Sequence, residues 1–325
     1  MARQADDSPF VELTIPYPKN RIELAQWFCS EEACLNYLSS LRWAKGFECP
    51  QCGGGQAWTP RPGMRRCKSC RRRYSVTAGT IFDRTRKPLP AWFEAIWHVC
   101  GQKNGGSALA LQRSLGLSRY ATAWSWLHRL RRAMVTPERK QLTGEVEVDE
   151  TFIGGVRSGV RGRGAAGKSL VLIAAEIRGV AIGRIRLHVI PDATAATLLD
   201  AVSDLVVQGS DIVTDGWTSY TGLPRRGFNH SVSRATADLG GNLLPHVHRV
   251  AALLKRWLLG THQGAIGHDL LQFYLDEFVF RFNRRAAASR GLLFRRLLEQ
   301  SVSHCPITNA QLLGKSTRTA GPNKL

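Results

Sequence analysis

Acidic residues are scarce in this chain of 325 residues: 25 Asp and Glu stand against 45 Lys and Arg, and the formal net charge is +20. A foldable chain so unbalanced repels itself unless an anionic partner is at hand, and the commonest such partner is nucleic acid. Long apolar runs are missing too. No stretch approaches the roughly 18 residues of a membrane span, and the opening residues, MARQADD, hold no apolar core of a signal peptide. The expectation is a soluble cytoplasmic, nucleoid-associated protein with no membrane partner. Low-complexity tracts and internal repeats are absent as well, which excludes collagen and coiled coil. Hydrophobic residues make up 43%, enough to build real cores, and the length suggests about two domains. The basic excess is uneven, since 23 basic and only 10 acidic residues lie up to Thr143.

Eight cysteines in an intracellular chain point to metal or catalysis before disulfides. Cys29, Cys34, Cys100 and Cys305 are scattered in apolar helical surroundings and read as small buried hydrophobes. The other four form two knuckles, Cys49-Pro50-Gln51-Cys52 and Cys67-Lys68-Ser69-Cys70, fourteen residues apart. Two such turns can supply four thiolates to one tetrahedral Zn2+ at about 2.3 Å each, and four Cys ligands leave no open position, so the metal is structural. Arg65, Arg66, Lys68, Arg71, Arg72 and Arg73 crowd the second knuckle. Such a cluster suits DNA phosphates and reads no base sequence by itself.

Helical periodicity runs through residues 30–43, with Ser30 as cap and Glu31 and Glu32 in the first turn. Further helices are expected at 90–100, 107–114 and 118–134. The Gly-containing break before Ser118 fits a helix-turn-helix that binds DNA, or an ordinary helical hairpin. From Gly144 the texture changes to strand alternation. Val146, Val148 and Phe152 alternate with Glu147, Asp149 and Thr151. Strands at 170–177 and 183–190, a helix at 193–206, a short strand at 212–214, a weaker one at 230–234 and helices at 245–259, 269–284 and 291–302 complete an α/β domain with a mixed sheet. The organisation expected is an N-terminal helical segment over 1–45, a zinc ribbon over 46–80, a helix-turn-helix-like segment over 88–140, a catalytic domain over 144–300 and a tail over 301–325.

Residues 162–169 satisfy the phosphate-loop spelling, ending Gly167-Lys168-Ser169. That motif works only where a helix leaves the loop with its N–H groups facing the phosphates. Here an apolar, β-type run follows, so nucleotide binding is rejected. A basic hairpin loop touching DNA through Arg157, Arg161, Arg163 and Lys168 fits the charge better.

Asp149 lies inside the first strand of this domain and Asp215 directly follows the strand at 212–214. If those strands are neighbours, the two carboxylates can share divalent cations, the arrangement for phosphoryl transfer. A third ligand is sought on a later helix. His248 and Lys255 stand seven apart on the helix starting at Pro245, nearly two full turns, and so share a face. Neutral imidazole could bind metal and Lys255 could hold a phosphate.

Taken together, the two CxxC knuckles, the run Val148-Asp149-Glu150-Thr151-Phe152-Ile153-Gly154-Gly155, Thr214-Asp215-Gly216, Leu254-Lys255-Arg256 and the run from Tyr274 through Arg285 resemble the zinc-ribbon insertion-sequence transposases of the ISXO2-like group. The resemblance spans residues 25–300. It implies an α/β RNase H-like mixed-sheet catalytic domain preceded by the ribbon and the helical segment. It also implies a DDE-type transposase activity, metal-dependent cleavage at transposon ends and strand transfer to target DNA, with Mg2+ or Mn2+ as catalytic metal. The partners implied are double-stranded DNA and further copies of the chain, as a homo-oligomer on DNA. Asp149 and Asp215 take the first two positions of the DDE pattern. The third, Glu or Asn in many members, falls on His248, with Lys255 as the Lys seven residues later. Losing one anionic ligand favours Mn2+ over Mg2+. Glu277 is the other carboxylate that could serve, and it reads equally as a salt-bridged helix residue. The alternative for the whole chain is a zinc-ribbon DNA-binding regulator whose RNase H-like domain is inactive.

Overall fold

The computed structural model of the protein describes residues 15–102, 104–136, 139–154, 168–233, 243–264, 266–287 and 289–313. In chain order the elements are α1 (Arg21–Trp27), α2 (Glu31–Arg42), β1 (Ala57–Trp58), β2 (Met64–Cys67), β3 (Arg73–Ser75), α3 (Leu89–Gly101), α4 (Ala108–Ser114) and α5 (Tyr120–Ala133). Then follow β4 (Glu145–Ile153), β5 (Ser169–Arg178), β6 (Ala181–Ile190), α6 (Ala195–Leu205), β7 (Asp211–Thr214), β8 (Asn229–Val232), α7 (Pro245–His262), α8 (Leu271–Asn283), α9 (Arg290–Ser303) and α10 (Asn309–Leu312). Among the described residues no helix is long and apolar enough to cross a membrane.

The chain divides into two compact units, the first formed by residues up to 97 with 289–306. Asn20 and Ser30 start α1 and α2 by accepting hydrogen bonds from the backbone N–H groups of Glu23 and Ala33, the N-cap role expected of their short polar side chains. The core is aromatic: the Phe28 ring lies 4.6 Å from Phe93 and 5.9 Å from Phe294. Phe294 belongs to α9, which packs on α2. The strands β1, β2 and β3 form a small antiparallel ribbon beside the cysteine knuckles.

The second unit holds residues 98–288 and 307–321. Its sheet has the order β6-β5-β4-β7-β8, with β4, β5 and β6 an antiparallel meander and β7 and β8 parallel to β4. Alternation along β4 sends Val146 and Val148 into a core with Leu198, Val202 and Leu205 of α6. On the other face Val171, Ile173 and Ile185 meet Val250, Leu254 and Leu258 of α7 and Leu275 of α8. The edge strand β6 would leave its outer N–H and C=O groups bare. Two α8 side chains cover them: Gln272 accepts from Val189 N–H at 3.0 Å and Asn283 accepts from Ile185 N–H at 2.8 Å.

Four features depart from the sequence reading. Helix α9, expected inside the catalytic domain, belongs to the first unit because Phe294 completes that unit's aromatic core. Helices α4 and α5, expected as a separate DNA-binding segment, share the second unit with the sheet, where α5 packs on α8. Helix α7 continues past Gly260 to His262, its last turn held by Trp257 and Thr261, which both donate to the Asn104 carbonyl. Of the scattered cysteines, Cys34 and Cys100 are buried as expected, but Cys29 and Cys305 are exposed.

Candidate active site and zinc ribbon

The site starts from β4. The face opposite α6 presents Glu147 and then Asp149 to the first turn of α7. That helix begins with Pro245 and has no side-chain cap of its own at Leu244. Glu147 supplies the missing cap from across the sheet: one oxygen accepts from Val247 N–H at 2.8 Å, the other lies 2.7 Å from His246 Nδ1. One step further along strand and helix, His248 Nε2 stands 3.3 Å from Asp149 Oδ2.

The second carboxylate comes from β7. Its register with β4 pairs Glu145 with Asp211, Val146 with Ile212 and Glu147 with Val213. Two residues beyond the last pair are Asp149 and Asp215. The Asp215 carboxylate accepts from Trp217 N–H at 3.0 Å, a tight turn that Gly216 permits. Gly216 has φ +86°, and a Cβ there would sit 2.7 Å from Val232 Cγ1. Burial first, then the Glu150 carboxylate, push the Asp149 carboxyl up to about 6; the Glu150 N–H bond and His248 oppose the rise, and Asp215 adds to it. A carboxyl so raised stands where a divalent cation would relieve both burial and repulsion. Tyr220, fully buried, donates to Glu150 at 2.8 Å from the α6 side and fixes that neighbour. Lys255 is exposed two turns along α7 from His248.

Glu277 lies elsewhere in character. It is 1% exposed, and its two oxygens are taken by Arg131 of α5 at 2.8 Å and Arg281 at 2.9 Å. Sequence reasoning missed Arg131, which looked like one of several surface arginines ending α5. It also missed Glu147, whose partners lie about a hundred residues away in the chain.

In the ribbon the four thiols close on one another. Cys49 Sγ lies 3.5 Å from Cys70 Sγ, and Cys52 Sγ 3.6 Å from Cys67 Sγ. Among the described residues these four are the one set of three or more metal-capable side chains whose ligand atoms all lie within 4.8 Å of each other, so the acidic site is the more open of the two. Soft sulfur donors at this spacing fit a structural zinc. Around them Lys68, Arg71, Arg72 and Arg73 are exposed. Arg65 lies over the Trp43 ring at 5.1 Å, and Arg66 and Arg71 flank Trp58 at 5.8 and 5.0 Å. Lys168 is exposed at the start of β5, while Arg157, Arg161 and Arg163 lie outside the described residues. Residues 170–177 are strand, so the phosphate-loop spelling lacks the helix its chemistry needs. Of α5, the segment read as a DNA-reading helix, Trp126, His128 and Leu130 are buried, and the exposed positions are at its start, including Tyr120, and at Arg132 in its last turn.

A three-stranded meander continued by two parallel strands, with acids on the central strand and beyond its parallel neighbour, defines the RNase H-like class. Residues 141–283 match the ISXO2-like transposase domain and residues 29–73 the transposase zinc-ribbon domain. The chain thus carries an ISXO2-like transposase domain and a transposase zinc ribbon. An uncharacterized protein in transposable element ISH50 of Halobacterium salinarum is 29% identical over 283 residues, 78% of this chain and 91% of the relative. Among solved structures, a pre-cleavage Mos1 transpososome aligns at 13% identity and TM-score 0.29, over 65% of this chain and 76% of that one. The simian T-cell lymphotropic virus intasome in complex with PP2A regulatory subunit B56 gamma aligns at 12% and 0.28, over 52% and 63%. The order of the sheet itself defines the fold.

Proposed function

We propose that this transposase cuts phosphodiesters at the ends of its element and transfers the freed strand to target DNA at a site made by Asp149, Asp215 and His248. The observation that carries the reading is the approach of His248 to Asp149, 3.3 Å, on the strand whose register brings Asp215 alongside. A relic domain has no need to keep that approach. Divalent cations held there, Mg2+ or Mn2+, would polarise the phosphoryl oxygen and activate the attacking one. The protein's own part is positional. Asp149 and Asp215 provide the anionic donors, His248 a neutral nitrogen from the helix side, and Lys255 a cation for a phosphate beyond the scissile one. Two in-line displacements follow at one site: water attacks first and releases a 3′-OH, which then attacks target DNA and displaces a 3′-OH there. An element has two ends, so we take the working form to be a homo-oligomer on double-stranded DNA. The arginines of the ribbon and Lys168 hold backbone phosphates, with Arg157, Arg161 and Arg163 as further candidates.

The test is cleavage of end-containing DNA by His248→Ala and His248→Glu in each metal. His248→Ala should lose most activity. His248→Glu should keep part of it and shift preference from Mn2+ toward Mg2+, because a carboxylate replaces an imidazole. Full activity of His248→Ala in both metals would remove His248 from the site.

The ribbon makes its own prediction. With zinc on Cys49, Cys52, Cys67 and Cys70, each Cys→Ser change should lower zinc content below one per chain and unfold the ribbon, since metal binding and folding are coupled there. Carefully purified protein without zinc by elemental analysis would overturn the assignment.

A further inference from the structure

Helix α7 carries more on its open side than the site uses. Val247, Val250, Ala251, Leu254 and Leu258 face the sheet and α8. The opposite face exposes His248 and Arg249, then Ala252, then Lys255 and Arg256, then Leu259, which is 66% exposed. The helix holds no acidic residue over its 18 positions, and among the described residues no ion pair engages Arg249, Lys255 or Arg256. Long side chains that could fold back onto carboxylates therefore point their charge into solvent.

The arrangement is a repeat of pairs. His248 with Arg249 and Lys255 with Arg256 are separated by seven residues, which rise about 10.5 Å and return to within about 20° of the same direction. The residue at the middle of the gap is Ala252, too small to obstruct a polymer lying along the helix. A DNA strand advances about 3.4 Å per nucleotide along the duplex axis and further along its winding backbone. Arg249 in the first pair and Lys255 with Arg256 in the second thus meet phosphates about two to three nucleotides apart on one strand. The first pair is anchored at Asp149, where the scissile phosphate sits in the reading above, on which this inference rests.

We propose that the exposed face of α7 is a backbone-tracking surface for the cleaved strand, with Arg249 beside the scissile phosphate and Arg256, together with Lys255, on a phosphate two to three nucleotides away. The contact is to phosphate oxygens and carries no base specificity. It holds the cut strand in line at its own active site. It is separate from the ribbon arginines, which bind DNA through the other unit.

The experiment uses the full chain and a short duplex of the DNA that borders its gene, with the cut position read from the cleavage product. Single uncharged methylphosphonates replace each phosphate of the cut strand in turn. Neutralising the phosphates about two to three nucleotides from the cut should weaken binding by the unmodified protein about tenfold, the size of one charge-assisted contact. The same substitution should weaken binding by Arg256→Ala clearly less, because one of the two cations on that phosphate is already gone. The double change Arg249→Ala with Arg256→Ala should lower the salt slope of binding by about two, and the corresponding Lys variants should restore it. Zinc content and melting temperature check that the variants remain folded, as expected for exposed side chains with no ion pair among the described residues. Equal sensitivity of Arg256→Ala and unmodified protein to those phosphates, with cleavage intact, overturns the inference alone. Absence of any metal-dependent cleavage by the unmodified protein overturns the site assignment and the inference with it.

Discussion

Replacing Asp149 or Asp215 by Ala is expected to abolish strand cleavage while DNA binding stays intact or tightens. Each carboxylate contributes negative charge that is useful only when divalent cations are held for the reaction. In plain DNA binding the same charge repels the phosphates, so its removal helps. The Asp149 carboxyl is raised to about 6 chiefly by burial, and a neutral side chain there relieves that burden too. The expected loss of cleavage is at least about two orders of magnitude, the size seen when one preorganised charge-stabilising group is lost. Cleavage and gel-shift assays on the same preparation check both halves. A variant that lost binding and cleavage together would show that the carboxylate serves the fold instead.

The second large effect is expected at Glu277, and it is on stability. Burial works against the Glu277 carboxylate, but Arg131 and then Arg281 outweigh it and hold the group at about 2. Glu277→Gln leaves Arg131, whose side chain is 3% exposed, without its counter-charge. Breaking a buried pair in this way costs about 3–5 kcal/mol, which lowers the melting temperature by on the order of 10 °C for a unit of this size. Because the folded carboxyl titrates below its ordinary value of 4.5, the pair stabilises fully above that pH. Its contribution is lost as pH falls from 4.5 toward 2. The gap in melting temperature between Glu277→Gln and the unmodified protein should therefore close in acid. A Glu277→Gln protein of unchanged stability that no longer cleaves DNA would make Glu277 a site carboxylate and displace His248.

Much of this was legible in the residues because the relevant signals are local. Strand β4 runs Glu145–Ile153, the span its alternation marks, and the two CxxC knuckles announce their own cluster. His248 and Lys255 are related by helical repeat alone. What escaped has partners far along the chain. Glu147 reads as one more polar residue of an alternating strand, and its role as the cap of α7 exists only once that helix crosses β4. Arg131 sits in a basic helix end that looks solvated, and its burial depends on an acid 146 residues later. The placement of α9 in the first unit rests on ring packing between Phe28, Phe93 and Phe294, which no periodicity encodes. The family strings likewise divide by role. The one around Asp149 builds the site, whereas the one from Tyr274 to Arg285 covers the β6 edge through Asn283 and locks α5 through Glu277.

The most direct test of the central claim is an anomalous X-ray difference map, recorded at the manganese edge, from crystals of the full chain soaked in Mn2+. The account predicts manganese density bounded by the carboxylates of Asp149 and Asp215 and by His248 Nε2, with none at Glu277. Manganese at Glu277, or a map with no manganese near Asp149, would contradict it.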